Sequence, residues 1–279
     1  LGAEIAVGRD PTPQERLIDD PRSRLKWIQA WNAGVDQIPL RRLKERGVVL
    51  TNASGVHPIP MSETIFAMML GLTRKIHVFL RNQMNRRLWD DRANGGELHG
   101  KTLGILGFGA IGEETARIAR AFGMKVLGYK RTPGTSPHAD EICTEGQLKD
   151  MLARCDYVVN ILPLTDRTRR FLDEEKFGWM KPGACFINVG RGGTVDTEAL
   201  IRALKDGRLA GAGLDVFEEE PLPPDHPLYD LDNVILTPHN AGGTVHYNGR
   251  ALDLFLANLR EYLEGRKPSV NVVDLDLQY

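Results

Sequence analysis

Gly107-Phe108-Gly109-Ala110-Ile111-Gly112 is the stretch on which the fold turns. It overlaps the end of an apolar run at residues 103–108 and opens a helical pattern in which Ile111, Ile118, Ala119 and Phe122 share one face before Gly123 stops it. The next apolar run, residues 126–129, completes a unit of strand, turn, helix and strand. Further runs at residues 157–162, 184–189, 212–216 and 234–237 are each too short for a helix, and several are rich in Val and Ile. Short apolar strands alternating with helical patterns build a parallel sheet with helices on both faces. The prediction is an α/β protein whose main domain is a doubly wound (Rossmann) sheet.

On either side of this region the pattern continues at a smaller scale. Strands are expected at residues 4–7, 27–29 and 48–51, with a charged helix over 40–46. An apolar helix over about 62–82 would lead out of this smaller α/β domain, and a helix over about 244–264 would lead back. The tail at 270–279 is expected to rejoin the smaller domain. The domain assignment is therefore 78–249 for the doubly wound domain, with 1–77 and 250–279 forming the other. The chain opens with Leu1-Gly2-Ala3-Glu4 as if in mid-domain, so further residues are expected upstream.

Composition narrows the function classes. The 279 residues are 42% hydrophobic and 26% charged, enough for two cores. With 36 Lys+Arg against 37 Asp+Glu the net charge is -1, which gives no global attraction to nucleic acid or to an anionic membrane. A small-molecule substrate is the expectation. The longest apolar candidate, residues 65–72, stops far short of the roughly 20 residues of a membrane span. Cys143, Cys155 and Cys185 have neither disulfide-framework nor zinc-site spacing and are read as buried thiols of a cytoplasmic protein; no metal is expected.

The glycine motif gains meaning from its place between a strand and a helix. Its first glycine permits a tight turn, its second lets the backbone approach a pyrophosphate, and its third lets helix and strand pack closely. NAD-preferring domains carry an acid about 20 residues on, for the ribose 2′-hydroxyl. Here the second strand ends Gly128-Tyr129-Lys130-Arg131-Thr132, two cations and a hydroxyl. An ammonium and a guanidinium can neutralise a 2′-phosphate, so NADP (NADPH) is the preferred cofactor on this reading and NAD remains possible. Paired charges at a loop can also simply face solvent.

Downstream, three strand ends each deliver a polar group: Arg191 in Asn188-Val189-Gly190-Arg191-Gly192-Gly193, Glu220 in Glu218-Glu219-Glu220-Pro221 after Asp215-Val216-Phe217, and His239 in Thr237-Pro238-His239. With the glycine motif, these segments resemble the D-isomer-specific 2-hydroxyacid dehydrogenases, from Trp27 to at least Thr244. The resemblance implies that Arg191 holds the substrate carboxylate, that His239 gives a proton to the carbonyl oxygen, and that Glu220 supports His239. A carboxylate beside an imidazole favours the protonated ring that an acid requires.

The same resemblance implies that Asp215 bonds the nicotinamide carboxamide. It also places Phe108, Ala110, Ile111, Leu162, Pro163, Thr168, Val189, Gly190, His239 and Gly242 with Gly107, Gly109, Gly112, Lys130, Arg131 and Thr132 against the cofactor. Asp215 taken alone could equally hold a turn. Asn32, Ala33 and Gly34, in Trp31-Asn32-Ala33-Gly34-Val35-Asp36, match the loop that receives the substrate carboxylate on backbone N–H groups, alongside Arg191 and His239. The smaller domain is then flavodoxin-like and closes over the substrate. Use of NADPH and the lack of an appended regulatory domain resemble glyoxylate/hydroxypyruvate reductases more than phosphoglycerate dehydrogenases. The family implies a homodimer, and one branch, nucleotide-sensing co-repressors, supplies the alternative of a binding protein with little turnover.

Overall fold

The structure, a computed structural model, describes residues 2–8, 16–86, 89 and 94–279, and of residues 85 and 86 the backbone alone. It divides into two compact units, Leu1–His57 with Thr244–Tyr279, and Pro58–Gly243. The smaller unit begins with β1 (Ile5–Gly8), β2 (Trp27–Ala30), α1 (Leu40–Arg46) and β3 (Val49–Thr51). Its strands form a parallel sheet in the order β1-β2-β3. Ile28, Leu43 and Leu50 are fully buried at its centre, each worth about 1.5–3 kcal/mol of transfer from water. Gly47 closes α1 in the left-handed conformation at φ 66°.

The larger unit runs through α2 (Pro58–Thr73), α3 (Ile76–Arg81), β4 (Thr102–Leu106), α4 (Ala110–Ala121), β5 (Lys125–Tyr129), β6 (Glu141–Cys143), α5 (Leu148–Arg154), β7 (Tyr157–Asn160), α6 (Glu174–Trp179), β8 (Ala184–Asn188), α7 (Thr197–Lys205), β9 (Leu209–Leu214) and β10 (Val234–Leu236). All seven strands are parallel, in the order β10-β9-β8-β7-β4-β5-β6. The chain winds outward from β4 to β6, returns, and winds the other way from β7 to β10. The doubly wound sheet expected from the sequence is the one observed, with its switch point between β4 and β7.

Side chains alternate between the two faces. Tyr157, Val159 and Ile187 pack with Ile65, Met69 and Ala116 from α2 and α4, whereas Val158 and Phe186 pack with Leu152, Phe177 and Leu204 from α5, α6 and α7. Burial in the second cluster pushes the Cys155 thiol up to about 12, and burial beside the first pushes Cys185 up to about 11.

Two expectations shift. The helix predicted over 62–82 starts at Pro58, where a missing N–H costs nothing, and breaks at Lys75, which adopts a left-handed φ of 58°. Because α2 packs on the sheet so closely that a β-carbon added at Gly213 would lie 2.8 Å from Met68 Cβ, the larger unit begins before residue 78. It ends at Gly243 where 249 was expected.

The chain closes with α8 (Tyr247–Leu263), in the smaller unit. Phe255 of α8 stacks on Trp27 at 5.5 Å, and the tail returns through a bridge from Val272 to Thr51. Among the described residues no helix is long and apolar enough to cross a membrane, and no group of three His, Cys, Asp or Glu could hold a metal ion.

Candidate active site

In a parallel sheet every strand delivers its following loop to the same edge. Gly107 follows β4, Leu162 follows β7, Arg191 follows β8, Asp215 and Glu220 follow β9, and His239 follows β10. The candidates of the larger unit therefore collect at one edge, around the switch point where open α/β sheets bind ligands.

The three glycines of the turn are required for different reasons. Gly107 has φ 96°, and a β-carbon there would come within 2.9 Å of the Ile161 carbonyl carbon. One on Gly112 would lie 3.0 Å from Gly107 O, so this glycine lets α4 pack onto β4. Gly109 is extended and exposed, and a β-carbon would meet nothing within 4 Å. Space in front of Gly109, at the N-terminus of the twelve-residue α4, fits the pyrophosphate of a dinucleotide. Phe108 is buried, its ring lying over Gly128, while Ala110 is exposed and Ile111 half-buried.

Lys130 leaves β5 with its N–H on Cys143 O at 3.1 Å, so β6 fixes the end of this strand. Its ammonium lies beside Gly134, and Arg131 and Thr132 are exposed. Ser136 Oγ donates to Glu113 Oε2 at 2.6 Å and ties the same loop to the first turn of α4, a link the sequence reading did not anticipate. Thr168 uses its hydroxyl locally: Oγ1 donates to Pro163 O at 2.6 Å and accepts from Thr165 N at 2.8 Å, closing the turn after Leu162. Val189 is buried, and Gly190 passes so near that turn that a β-carbon would sit 2.8 Å from Leu162 O.

His239 Nδ1 and Glu220 Oε2 are 2.6 Å apart. An ionised carboxylate only accepts, so Nδ1 carries the hydrogen and Nε2 is the nitrogen turned to other partners. Glu220 is held from behind by Phe217 N, which donates to Oε1 at 2.9 Å. Asp215, 1% exposed, spends its carboxylate on the histidine loop: Oδ1 accepts from Thr237 Oγ1 at 2.6 Å and Asn240 N at 2.9 Å, and Oδ2 from Ala241 N at 2.9 Å. The turn-holding role left open for Asp215 is thus the one its observed bonds serve. Gly242 follows directly, half-buried. Beside the pair opens a cavity of about 620 Å³ with apolar walls from Phe217, Leu222, Tyr229 and Leu236.

Arg191 stands at the start of a short 3-10 turn, Gly192–Thr194, with Nη1 donating to Gly190 O at 2.9 Å. Beneath it lie two fully buried residues that sequence reasoning missed as site support, Asn160 and Thr194. In the smaller unit, Ala53 N donates to Asn32 O at 3.0 Å and Asn52 Nδ2 to Ala33 O at 2.8 Å. These bonds hold the turn by the carbonyls of Asn32 and Ala33.

A sequence model described as the NAD binding domain of the D-isomer specific 2-hydroxyacid dehydrogenases matches residues 66–241. The chain is 37% identical over 275 residues to a glyoxylate reductase of Pyrococcus furiosus, covering 96% of this chain and 81% of that one. It is 35% identical to a D-3-phosphoglycerate dehydrogenase of Methanocaldococcus jannaschii over 98% of this chain, but spans only 52% of that relative's length. Among solved structures, an NADPH-dependent glyoxylate/hydroxypyruvate reductase of Sinorhizobium meliloti, in complex with NADP and sulfate, is 30% identical with a TM-score of 0.86, covering 100% of this chain and 87% of that one. A matched domain, relatives of this identity and a switch point fitted to a dinucleotide lead to one assignment: the chain belongs to the D-isomer specific 2-hydroxyacid dehydrogenases, enzymes working with a nicotinamide dinucleotide.

Proposed function

We propose that the protein reduces a small 2-keto acid, of the size of glyoxylate or hydroxypyruvate, to the D-2-hydroxy acid with NADPH. The observation that carries this reading is the 2.6 Å pairing of His239 Nδ1 with Glu220 Oε2, on the same sheet edge as Arg191 and the glycine turn. When bound, the dinucleotide supplies the hydride for the carbonyl carbon. Arg191 binds the substrate carboxylate through its guanidinium fork and draws electron density from the neighbouring carbonyl. His239 releases the Nε2 proton to the carbonyl oxygen as negative charge develops there, and Glu220 keeps the ring oriented by holding Nδ1–H.

Preference for NADPH rests on Lys130, Arg131 and Thr132 at the end of β5, where a carboxylate would repel a 2′-phosphate. The test is kcat/KM with NADPH and NADH over glyoxylate, hydroxypyruvate, pyruvate and bulkier keto acids that could use the apolar cavity. A clear NADH preference overturns the cofactor half, and tight dinucleotide binding without turnover of any keto acid overturns the reductase in favour of a sensor. Lys130→Glu with Arg131→Asp is expected to lower the NADPH to NADH ratio by about tenfold or more.

The reading includes a homodimer and a cytoplasmic location. Exposed Ile76, Phe79, Leu80 and Met84, on α3 and the short π-helix Asn82–Arg86 that follows it, supply an apolar face for a second copy. Light scattering at micromolar concentration measures the mass, and a monomer overturns the dimer.

A further inference from the structure

Between the ends of β7 and β8 lies a buried knot of polar side chains that the roles above do not use. Asn160 and Thr194 are fully buried and Asn188 is 2% exposed. Asn160 Nδ2 donates to Asn188 Oδ1 at 2.9 Å and to Thr194 Oγ1 at 2.8 Å, which engages both amide hydrogens. The Thr194 hydroxyl then donates to Arg191 O at 2.6 Å. Asn188 Oδ1 also receives Gly190 N at 3.2 Å, and Asn160 Oδ1 receives Leu162 N at 3.3 Å.

Strand ends of this kind need no side-chain amide at all. Val or Ile would fill the same volume, and each buried polar group must be matched with a partner or it destabilises the fold. The knot spends its bonds on the backbone of two loops, the one after Asn160 and the one that carries Arg191. Arg191 O receives Thr194 Oγ1, Thr194 N at 3.2 Å and, at a longer 3.5 Å, Asn188 Nδ2, which together fix the peptide plane following the arginine. Asn160 and Asn188 face each other in the strand register, so the relative placement of the two loops follows the sheet itself.

We propose that Asn160 and Thr194 are positioning residues, with Thr194 setting the direction of the Arg191 guanidinium and Asn160 coupling that arginine to the Leu162 turn on the dinucleotide side. The proposal rests on Arg191 being the carboxylate-binding residue. Thr194 serves one loop and Asn160 serves two, which separates their effects.

The experiment measures kcat and KM for glyoxylate at saturating NADPH, the Kd of NADPH by fluorescence, and thermal melting, for Thr194→Val, Thr194→Ser, Asn160→Asp and Arg191→Ala. Thr194→Val keeps the shape and removes the hydroxyl; it is expected to raise KM for glyoxylate about tenfold while leaving the Kd of NADPH within about twofold. Thr194→Ser restores the hydroxyl and should return KM to near the native value. Asn160→Asp, which cannot supply both donors, should raise both KM and the Kd of NADPH. If Thr194→Val does not fold, Thr194→Ala takes its place in the comparison with Thr194→Ser. A folded Thr194→Val with native KM overturns the proposal, as does a Thr194→Ser variant as impaired as Thr194→Val. If Arg191→Ala itself leaves KM unchanged, the reading of Arg191 fails and the positioning claim falls with it; if Arg191→Ala raises KM and Thr194→Val does not, only the positioning claim fails.

Discussion

Gly192 and Phe217 are in backbone contact: a β-carbon on Gly192 would lie 1.9 Å from the Phe217 carbonyl carbon and 2.0 Å from its oxygen. This contact joins the Arg191 loop to the loop carrying Glu220, because Phe217 N donates to Glu220 Oε1. No rotamer change relieves a clash with backbone, so Gly192→Ala has to push the loops apart. The expected cost is about 1–3 kcal/mol of stability and about a hundredfold in kcat/KM. Melting and steady-state kinetics check both, and a variant that melts and turns over like the native enzyme would contradict the coupling.

Gly107 and Gly109 should respond to alanine in opposite ways. At Gly107 the new β-carbon meets the Ile161 carbonyl in a left-handed backbone, and Gly107→Ala should lower the melting temperature. At Gly109 it meets no protein atom, so Gly109→Ala should melt as the native protein does while binding the dinucleotide about tenfold or more weakly. Calorimetric titration distinguishes them; native affinity in Gly109→Ala would place the pyrophosphate elsewhere.

Glu220→Gln keeps the shape of the side chain and removes its charge. The amide can orient the imidazole but stabilises its protonated form far less, so kcat should fall about 10²-fold or more, with a smaller change in KM. His239→Asn, which removes the acid, should cost about 10²–10⁴ in kcat. Rapid-quench or stopped-flow measurement of a single turnover shows whether the loss is in the chemical step.

Burial holds the Cys155 and Cys185 thiols protonated, up to about 12 and about 11 against an ordinary 9.0. A raised folded-state value means that stability is intact below pH 9 and is lost as pH rises through 9, because the unfolded chain then releases protons that the folded chain retains. Melting temperature should fall between pH 9 and about 11, and Cys155→Ala should show a shallower fall despite a lower starting value. A disulfide-exchange reagent at pH 8 is expected to label these thiols only after unfolding.

The larger sheet was legible because six of its seven strands are apolar runs set between helical patterns. The seventh, Glu141–Cys143, is an edge strand of three residues with a charge at one end, too short for any periodic signal. The front half of Leu209–Leu214 escaped notice because its alternating Ala and Gly carry little hydrophobic signature. The motif residues could be named individually, since each stands in a distinctive short context. Asn160 and Thr194 could not: one interrupts an apolar run and the other follows two glycines, and only their meeting in space gives either a role. Asp215 was named for the cofactor, but which atoms its carboxylate binds depends on a loop 22 to 26 residues later in the chain.

His239 sits at φ 50°, a left-handed backbone that an ordinary side chain adopts at a cost of about 1 kcal/mol. The bond from its N–H to Asp215 O at 2.8 Å, and the clasp of Asp215 on the residues either side, hold it there. Folding alone would choose glycine or asparagine at this position; in the proposed reduction the imidazole serves the chemistry, against the preference of the chain. A library selected only for thermostability should therefore drift away from histidine at 239, whereas one selected for turnover should retain it and gather its stabilising changes elsewhere.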